Sequence, residues 1–191
     1  MKRVLILGST GFLGNILLKY LKKNFVVFSD RSFKKKLKKC SNDEFFNEVI
    51  LQKNPDIILN LVALTDVDKC EKNKKKALNS NCTFVKNLVV AIKKNKKKRI
   101  HLIHISTDQV YSGDGNHREN KTNPINFYGK SKLKGEKFIR KTPYTIFRTN
   151  FIGIGISKKN NLSKWIINNL KKKIRFKHLK ISFFRLSIHQ L

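Results

Sequence analysis

The sequence predicts an α/β fold, a doubly wound parallel sheet with helices packed on both of its faces. The first observation is that short apolar runs alternate with stretches of helical periodicity through residues 1–150. The second is a glycine-rich turn, residues 8–14, which joins the first apolar run to the first helical stretch. The third is the length of 191 residues, which suits one domain with a core of ordinary size.

Hydrophobic patterning places the individual elements in chain order. Strands are predicted at short apolar runs, residues 2–7, 25–29, 56–60, 99–106 and 144–148. Helices are predicted where apolar residues recur every three or four positions: from the glycine turn to Leu21, and at residues 43–53, 77–94 and 127–140. Residues 31–42 have a poor pattern dominated by lysine, with one further short strand expected around Leu37.

The glycines of the first turn are spaced Gly-x-x-Gly-x-x-Gly, at positions 8, 11 and 14. We expect Gly8 to permit the tight turn, Gly11 to let backbone N–H groups approach a pyrophosphate, and Gly14 to allow close packing of helix on strand. A glycine trio alone is a weak signal. Its position between a predicted strand and a predicted helix is the context that dinucleotide binding requires.

Asp30 ends the second predicted strand, 22 positions after Gly8 (30 − 8). An acidic side chain at this place can bond both ribose hydroxyls of NAD, whereas the guanidinium of the next residue, Arg31, can neutralise the additional phosphate of NADP. Asp30 therefore favours NAD and Arg31 favours NADP, so the choice between the two cofactors stays open. The ordinary alternative for Asp30 is a turn residue that opens the following loop.

Tyr128 and Lys132 lie four residues apart and therefore share one face of a predicted helix. A phenol exchanges protons poorly at neutral pH, and we expect the ammonium of Lys132 to lower the pKa of Tyr128. Upstream, Ser106 and Thr107 end a strand with hydroxyls that are able to hold a carbonyl oxygen. These groups indicate a carbonyl reductase, whereas the ordinary alternative is a tyrosine that covers core and a solvated lysine.

Four ordered motifs carry a resemblance to a known family. They are residues 8–14, residues 60–71 (Asn-Leu-Val-Ala-Leu-Thr-Asp-Val-Asp-Lys-Cys-Glu), residues 106–115 (Ser-Thr-Asp-Gln-Val-Tyr-Ser-Gly-Asp-Gly) and residues 123–136 (Asn-Pro-Ile-Asn-Phe-Tyr-Gly-Lys-Ser-Lys-Leu-Lys-Gly-Glu). Through them the chain resembles the extended short-chain dehydrogenase/reductases, and within these the dTDP-4-dehydrorhamnose reductase group of nucleotide-sugar-binding proteins. The resemblance covers most of residues 1–150.

The resemblance implies a Rossmann-like NAD(P)-binding domain at residues 1–150 and an oxidoreductase that reduces a keto group on a nucleotide-linked sugar, as in dTDP-rhamnose and polysaccharide biosynthesis. It implies that Tyr128 protonates the alkoxide, Thr107 binds the oxygen, and Lys132 also holds the nicotinamide ribose. Cofactor contacts are implied for Gly8, Thr10, Gly11, Phe12, Leu13, Gly14, Asp30, Arg31, Ala63, Leu64, Thr65, Asn81, Tyr128 and Lys132. Weaker substrate contacts are implied for Val67, Asp68, Asp108 and Gln109.

The two residues after Thr107 narrow the type of reaction. Sugar-nucleotide dehydratases of similar fold carry an Asp and a Glu there, where this chain has Asp108 and Gln109, and a glutamine cannot accept a proton. We therefore expect reduction rather than dehydration. Epimerisation by the same Tyr, Lys and nicotinamide is the alternative within the superfamily.

Residues 151–191 match only the start of the family's substrate-binding lobe, so we expect a truncated lobe in this chain. A second class of function is therefore a cofactor-binding, non-catalytic partner, similar to the regulatory subunit of methionine adenosyltransferase, or an inactive fragment. The sugar, its nucleotide and the oligomeric state are open, with a homodimer as one option.

The formal charge of +31, from 43 Lys and Arg against 12 Asp and Glu, ordinarily suggests a polyanionic partner. The lysines occur in separate runs rather than in one stripe interleaved with aromatic residues, so we expect a solvated basic surface and no specific nucleic-acid site. Three cysteines without metal-ligand spacing predict a reducing compartment and no metal site. The sequence shows neither an apolar leader nor a membrane-spanning run, which predicts a cytoplasmic protein without membrane insertion.

Overall fold

The computed structural model of the protein describes residues 1–30, 42–96 and 98–150. Five parallel strands form one sheet in the order β2-β1-β3-β4-β5. Their bounds are β1 (Arg3–Leu7), β2 (Val26–Ser29), β3 (Ile57–Asn60), β4 (His101–Ser106) and β5 (Tyr144–Arg148). All five strands were predicted from hydrophobic patterning, and the predicted doubly wound fold class is confirmed.

Helices follow the strands and cover both faces of the sheet. Their bounds are α1 (Phe12–Leu21), α2 (Asp43–Lys53), α3 (Val67–Lys72), α4 (Lys74–Leu78), α5 (Phe84–Lys94) and α6 (Phe127–Ile139). A π-helical turn, Asn79–Thr83, joins α4 to α5, so the helix predicted at residues 77–94 begins earlier than expected and changes its winding on the way. A short 3₁₀ turn, Asp108–Val110, follows β4.

Two hydrophobic layers hold the helices on the sheet. On one face, Leu5 and Leu7 of β1 pack in a large cluster with side chains of α2 and α5, such as Phe46 and Leu88. On the other face, the remaining apolar residues of β1 pack with Leu18 of α1. Because β1 is buried on both faces, its sequence is a continuous apolar run. Each fully buried Leu or Phe side chain contributes about 1.5–3 kcal/mol to the free energy of folding.

The carboxyl ends of the central strands meet at one edge of the sheet. Leu7 at the end of β1 is in register with Asn60 at the end of β3, and Asn60 is in register with His104 of β4. In a doubly wound sheet this edge is where ligands bind. The glycine turn, the loop after β3 and the loop after β4 therefore start from neighbouring positions.

Several sequence-based expectations lie outside the described residues: the short strand around Leu37, Arg31, Cys40 and the predicted lobe at residues 151–191. Within the described part of the chain, Cys70 and Cys82 are free thiols. None of the helices that the structure describes is long and apolar enough to cross a membrane.

Candidate active site

The glycine turn is shaped by two close approaches that exclude a side chain. Gly8 has a φ of +87°, and a Cβ at this position would lie 2.9 Å from the carbonyl carbon of Leu61. A Cβ on Gly14 would lie 2.3 Å from the carbonyl oxygen of Gly8. The fold itself thus requires Gly8 for the turn and Gly14 for the packing of α1 on that turn.

Gly11 differs from its two neighbours in the motif. Its φ is −74°, which any residue adopts, and among the described residues a Cβ would meet only the carbonyl oxygen of Gly8, at 3.3 Å. Gly11 is also the N-cap of α1, and a glycine has no side chain to accept from the N–H groups of the first turn. The space beside Gly11 therefore admits an anionic group against these N–H groups.

Asp30 holds the glycine turn together. Its buried carboxylate accepts hydrogen bonds from the backbone N–H of Gly8 at 2.8 Å, from the N–H of Ser9 at 3.0 Å, and from the Ser9 hydroxyl. A carboxylate has about four acceptor positions, so these bonds leave little of it for another donor. The structure thus gives Asp30 a structural partner that the sequence did not suggest, and the ribose contact remains a prediction.

The loop after β4 orients Thr107 toward α6. The Thr107 side chain caps the 3₁₀ turn by accepting from the N–H of Gln109 at 3.2 Å, and its hydroxyl donates to Asp108 at 3.1 Å. Thr107 is buried, with 4% of its surface exposed. Its position is therefore determined by the backbone of the turn rather than by a free rotamer.

Tyr128 is held opposite Thr107 by the first turn of α6. Asn126 caps this helix by accepting from the N–H of Gly129 at 2.8 Å, and a Cβ on Gly129 would lie 2.2 Å from the carbonyl oxygen of Gln109. This close packing places the Thr107 side chain beside the Tyr128 phenol. Burial raises the pKa of Tyr128 to about 12, against the opposing effect of hydrogen bonding by Thr107.

Lys132 lies one turn further along α6, with 1% of its surface exposed. Its Nζ donates to the carbonyl oxygen of Ile105 at 2.7 Å and lies 3.2 Å from Nε2 of His104. Burial lowers the pKa of Lys132 to about 8, although the charge of Glu136 favours the ammonium. The expectation that Lys132 lowers the pKa of Tyr128 is wrong for this structure, because the amine is drawn to β4 and burial dominates the phenol.

A buried ion pair connects α6 to the end of β5. Arg148, the last residue of β5, donates from Nη2 to Glu136 at 2.7 Å and from Nη1 to the Tyr111 hydroxyl at 2.7 Å. Glu136 also accepts from the hydroxyl of Ser106. These bonds connect α6 to the ends of β4 and β5, so they fix the position of Tyr128 and Lys132 relative to the sheet.

Asn81 connects the loop after β3 to α6. Its amide accepts from the N–H of Leu64 at 2.8 Å and donates to the carbonyl oxygen of Leu64 at 3.0 Å and to the Ser131 hydroxyl at 2.9 Å. A Cβ on Gly135 would lie 2.3 Å from the carbonyl oxygen of Asn81, so the π-helical turn packs directly on α6. Asn81 thereby positions Leu64, which was predicted to run along the cofactor.

The remaining predicted site residues lie around the same edge of the sheet. Phe12 and Leu13 begin α1, Ala63 and Thr65 flank Leu64 in the loop after β3, Val67 and Asp68 form the first turn of α3, and Thr10 is exposed in the glycine turn. The Gln109 side chain accepts from the amide of Asn126 at 2.7 Å, which occupies it in holding the start of α6.

Sequence reasoning assigned no role to His104, Ser131, Glu136 or Arg148. One signal was available, since Glu136 follows Lys132 by four residues and shares its helix face. The burial of a polar strand residue such as His104 depends on which helix covers the strand, and hydrophobic periodicity does not report it.

A parallel sheet with a glycine turn after its first strand, and a buried Tyr and Lys over the end of its fourth strand, defines the Rossmann-like α/β class. A family model described as RmlD substrate binding domain matches residues 1–181. The chain therefore belongs to the RmlD substrate binding domain family, which confirms the resemblance stated from the motifs.

Individual relatives agree with this membership. A dTDP-4-dehydrorhamnose reductase from Salmonella typhimurium is 32% identical over 177 residues, which cover 89% of this chain and 57% of that protein. The spore coat polysaccharide biosynthesis protein SpsK of Bacillus subtilis is 31% identical over 159 residues, covering 80% of this chain and 54% of that protein. The chain thus spans little more than half the length of these curated relatives.

Solved structures show the same fold. A crystal structure of dTDP-4-dehydrorhamnose reductase from Bacillus anthracis in complex with NADP has a TM-score of 0.75 at 31% identity, covering 90% of this chain and 60% of that one. A dTDP-4-dehydrorhamnose reductase from Clostridium acetobutylicum has a TM-score of 0.75 at 32% identity, covering 89% and 60%.

Proposed function

We propose that this protein is an NAD(P)H-dependent reductase of a keto group on a nucleotide-linked sugar. The observation that carries the proposal is the buried Tyr128 phenol with Thr107 beside it, at the sheet edge where the glycine turn also begins. The names of the relatives support the substrate class, because they are dTDP-4-dehydrorhamnose reductases.

The residues present fit a dinucleotide. The uncapped first turn of α1 and the space beside Gly11 suit a pyrophosphate. The loop after β3, with Ala63, Leu64 and Thr65, extends from the adjoining strand, so it is the place where the cofactor would continue toward Tyr128. The Bacillus anthracis relative in complex with NADP supports this class of cofactor. A bound reduced nicotinamide supplies a hydride to the keto carbon.

The chain's own residues would supply the proton and hold the oxygen. Tyr128 keeps its proton at neutral pH, because burial raises its pKa to about 12, and it can donate this proton to the alkoxide that forms on the substrate. Thr107 lies close enough to the phenol to influence its pKa, so both side chains can contact one substrate oxygen. Lys132 would hold the nicotinamide ribose after its amine leaves the carbonyl of Ile105.

Reduction is favoured over dehydration by the residues after Thr107. Gln109 replaces the general base that an elimination needs, and its amide is already occupied by Asn126. Among the described residues, Asp108 is the one carboxylate of the 3₁₀ turn after β4, and it accepts a hydrogen bond from the Thr107 hydroxyl. The arrangement offers proton donors to an oxygen and no pair of carboxylates to remove water.

The direct test uses the full chain. Binding of NADPH and NADH is measured by calorimetry, and keto-sugar nucleotides such as dTDP-4-dehydrorhamnose are then screened for oxidation of the bound cofactor. We expect binding of a reduced nicotinamide and consumption of it with a keto sugar. A folded protein that binds neither NADPH nor NADH would contradict the proposal, whereas binding without turnover would favour the non-catalytic cofactor-binding partner.

A further inference from the structure

His104 is a fully buried histidine beside Lys132, and the proposed reaction leaves it without a role. It lies within β4, where its Nδ1 is 3.1 Å from the amide nitrogen of Asn60 and its Nε2 is 3.2 Å from Nζ of Lys132. A neutral imidazole has one N–H donor and one acceptor nitrogen, so these two contacts cannot both be of the same kind.

The orientation of the Asn60 side chain decides which nitrogen carries the proton. The backbone N–H of Val62 donates to Oδ1 of Asn60 at 3.1 Å, and only the amide oxygen accepts such a bond. The amide NH₂ must therefore face His104. Nδ1 of His104 accepts from that NH₂, and the imidazole proton is placed on Nε2.

In this tautomer of His104, the Nε2–H bond points at the Lys132 amine. An ammonium has only donors, so it would meet Nε2–H with like polarity, whereas an uncharged amine has a lone pair that accepts from it. The same amine donates one of its protons to the carbonyl oxygen of Ile105 at 2.7 Å. Every polar atom of this arrangement then has a complementary partner.

The surrounding charges are consistent with this arrangement. Burial and the charge of Lys132 lower the pKa of His104 well below its usual range, so a second proton on the ring is disfavoured. Glu136, on the same helix, favours the charged form of Lys132, but its carboxylate is already paired with Arg148. On the other side, Tyr128 carries a neutral phenol, and the charge of Asp108 acts on that phenol.

We propose that His104 is a positioning residue that holds the uncharged amine of Lys132 against β4, through the Nε2–H tautomer that Asn60 imposes. Protonation of Lys132 breaks the bond to His104 and frees the ammonium to reach groups beside Tyr128. The Lys132 side chain then has two conformations: when neutral it lies against β4, and when charged it is released from β4. The tautomer stands without the proposed function, and only the use of the released lysine in reduction rests on it.

The first test reads the tautomer directly in the unmodified chain. Nitrogen NMR of ¹⁵N-labelled histidine distinguishes Nδ1–H from Nε2–H, and the His104 signals are identified by their loss in His104→Gln. We expect a neutral ring protonated on Nε2 above the pH at which Lys132 loses its proton, about pH 8. A ring protonated on Nδ1, or on both nitrogens, under these conditions would overturn the proposal.

The second test reverses the tautomer through Asn60. In Asn60→Asp, one carboxylate oxygen still accepts from Val62, but the other accepts from Nδ1–H, so Nε2 becomes an acceptor for the Lys132 ammonium. We expect the Nδ1–H tautomer, together with a rise of about one pH unit or more in the midpoint at which Lys132 titrates. The midpoint is read from the Cε carbon signal of Lys132, identified by its loss in Lys132→Met.

A matched control separates the tautomer from the added charge. Asn42→Asp introduces the same charge at the cap of α2, and we expect it to leave the His104 tautomer and the Lys132 midpoint unchanged. The new carboxylate at position 60 by itself would raise the midpoint without moving the ring proton. A raised midpoint with Nε2–H retained would therefore refute the proposal, as would an unchanged midpoint. If Asn60→Asp does not fold, the first test still decides.

Discussion

Thr107 lies beside the Tyr128 phenol and lowers its pKa by hydrogen bonding, against the effect of burial, although the two residues come from different elements, the first turn of α6 and the loop after β4. Two close approaches create the contact: Gly129 packs on the carbonyl oxygen of Gln109, and Asn126 caps the helix. The phenol is buried and keeps its proton at neutral pH. The phenol therefore has a proton that it can donate to an oxygen that becomes basic, as the proposed reduction requires.

Replacing Tyr128 by Phe keeps the ring and its packing but removes the proton donor. We expect cofactor affinity to stay within a few-fold of the parent and reduction of a keto sugar to fall about a hundredfold or more. Tyr20→Phe, at an exposed tyrosine of α1, is the matched control and should leave both unchanged. Turnover of Tyr128→Phe near that of the parent would remove the phenol from the reaction.

Gly11 and Gly14 should respond differently to a side chain. Gly11→Val should weaken NADPH binding at least about tenfold with little loss of thermal stability, because among the described residues its Cβ would meet only the Gly8 carbonyl oxygen, at 3.3 Å. Gly14→Val should lower the melting temperature, because its Cβ would lie 2.3 Å from the Gly8 oxygen. Calorimetry and thermal melts measure the two effects. Normal binding by a folded Gly11→Val variant would contradict the proposed pyrophosphate site.

The preference between NADPH and NADH is expected to depend on Arg31. Arg31→Ala should weaken NADPH more than NADH if the guanidinium meets the additional phosphate. The dissociation constants of both cofactors are measured at the same ionic strength, because charge contacts are screened by salt. Equal weakening of the two would show that Arg31 does not contact this phosphate.

The pair of Glu136 and Arg148 should be a large contributor to stability. Glu136→Gln leaves the Arg148 guanidinium buried without its counter-charge, and we expect the free energy of unfolding to fall by about 3–5 kcal/mol. Lys69→Gln removes an exposed ion pair with Asp66 and should change the free energy of unfolding very little, because solvent screens this pair. Urea denaturation of both variants measures the difference. A similar, small cost for both would mean that the buried pair is not a stabilising link.

Lys132 should make the free energy of unfolding depend on pH in the alkaline range. Its pKa is lowered to about 8 in the folded protein from 10.5, so the unfolded chain binds more protons between these values and stability rises with pH across that window. Lys132→Met should remove this rise, which amounts to about 3 kcal/mol. The measurement is the difference in unfolding free energy between parent and variant from pH 7 to pH 10. A difference that is independent of pH would contradict the lowered pKa.

The strands and most helices could be predicted from the sequence because apolar periodicity is a property of short windows. The same holds for the place of the glycine turn between β1 and α1, whereas its contact with a pyrophosphate stays a prediction. The proximity of Tyr128 and Thr107 could also be predicted, since both lie at ends of elements that meet at one sheet edge. These features need only local pattern and the rule that parallel strands end together.

Only the tertiary structure decided how the polar groups at that edge are used. The carboxylate of Asp30 closes the glycine turn, the amine of Lys132 lies on Ile105 beside His104, and Glu136 pairs with Arg148. The physical reason is that burial and hydrogen-bond partners are determined by which elements pack together. The pKa values of Tyr128 and Lys132 follow from that packing, because desolvation shifts each of them toward its neutral form more strongly than the neighbouring side chains oppose it.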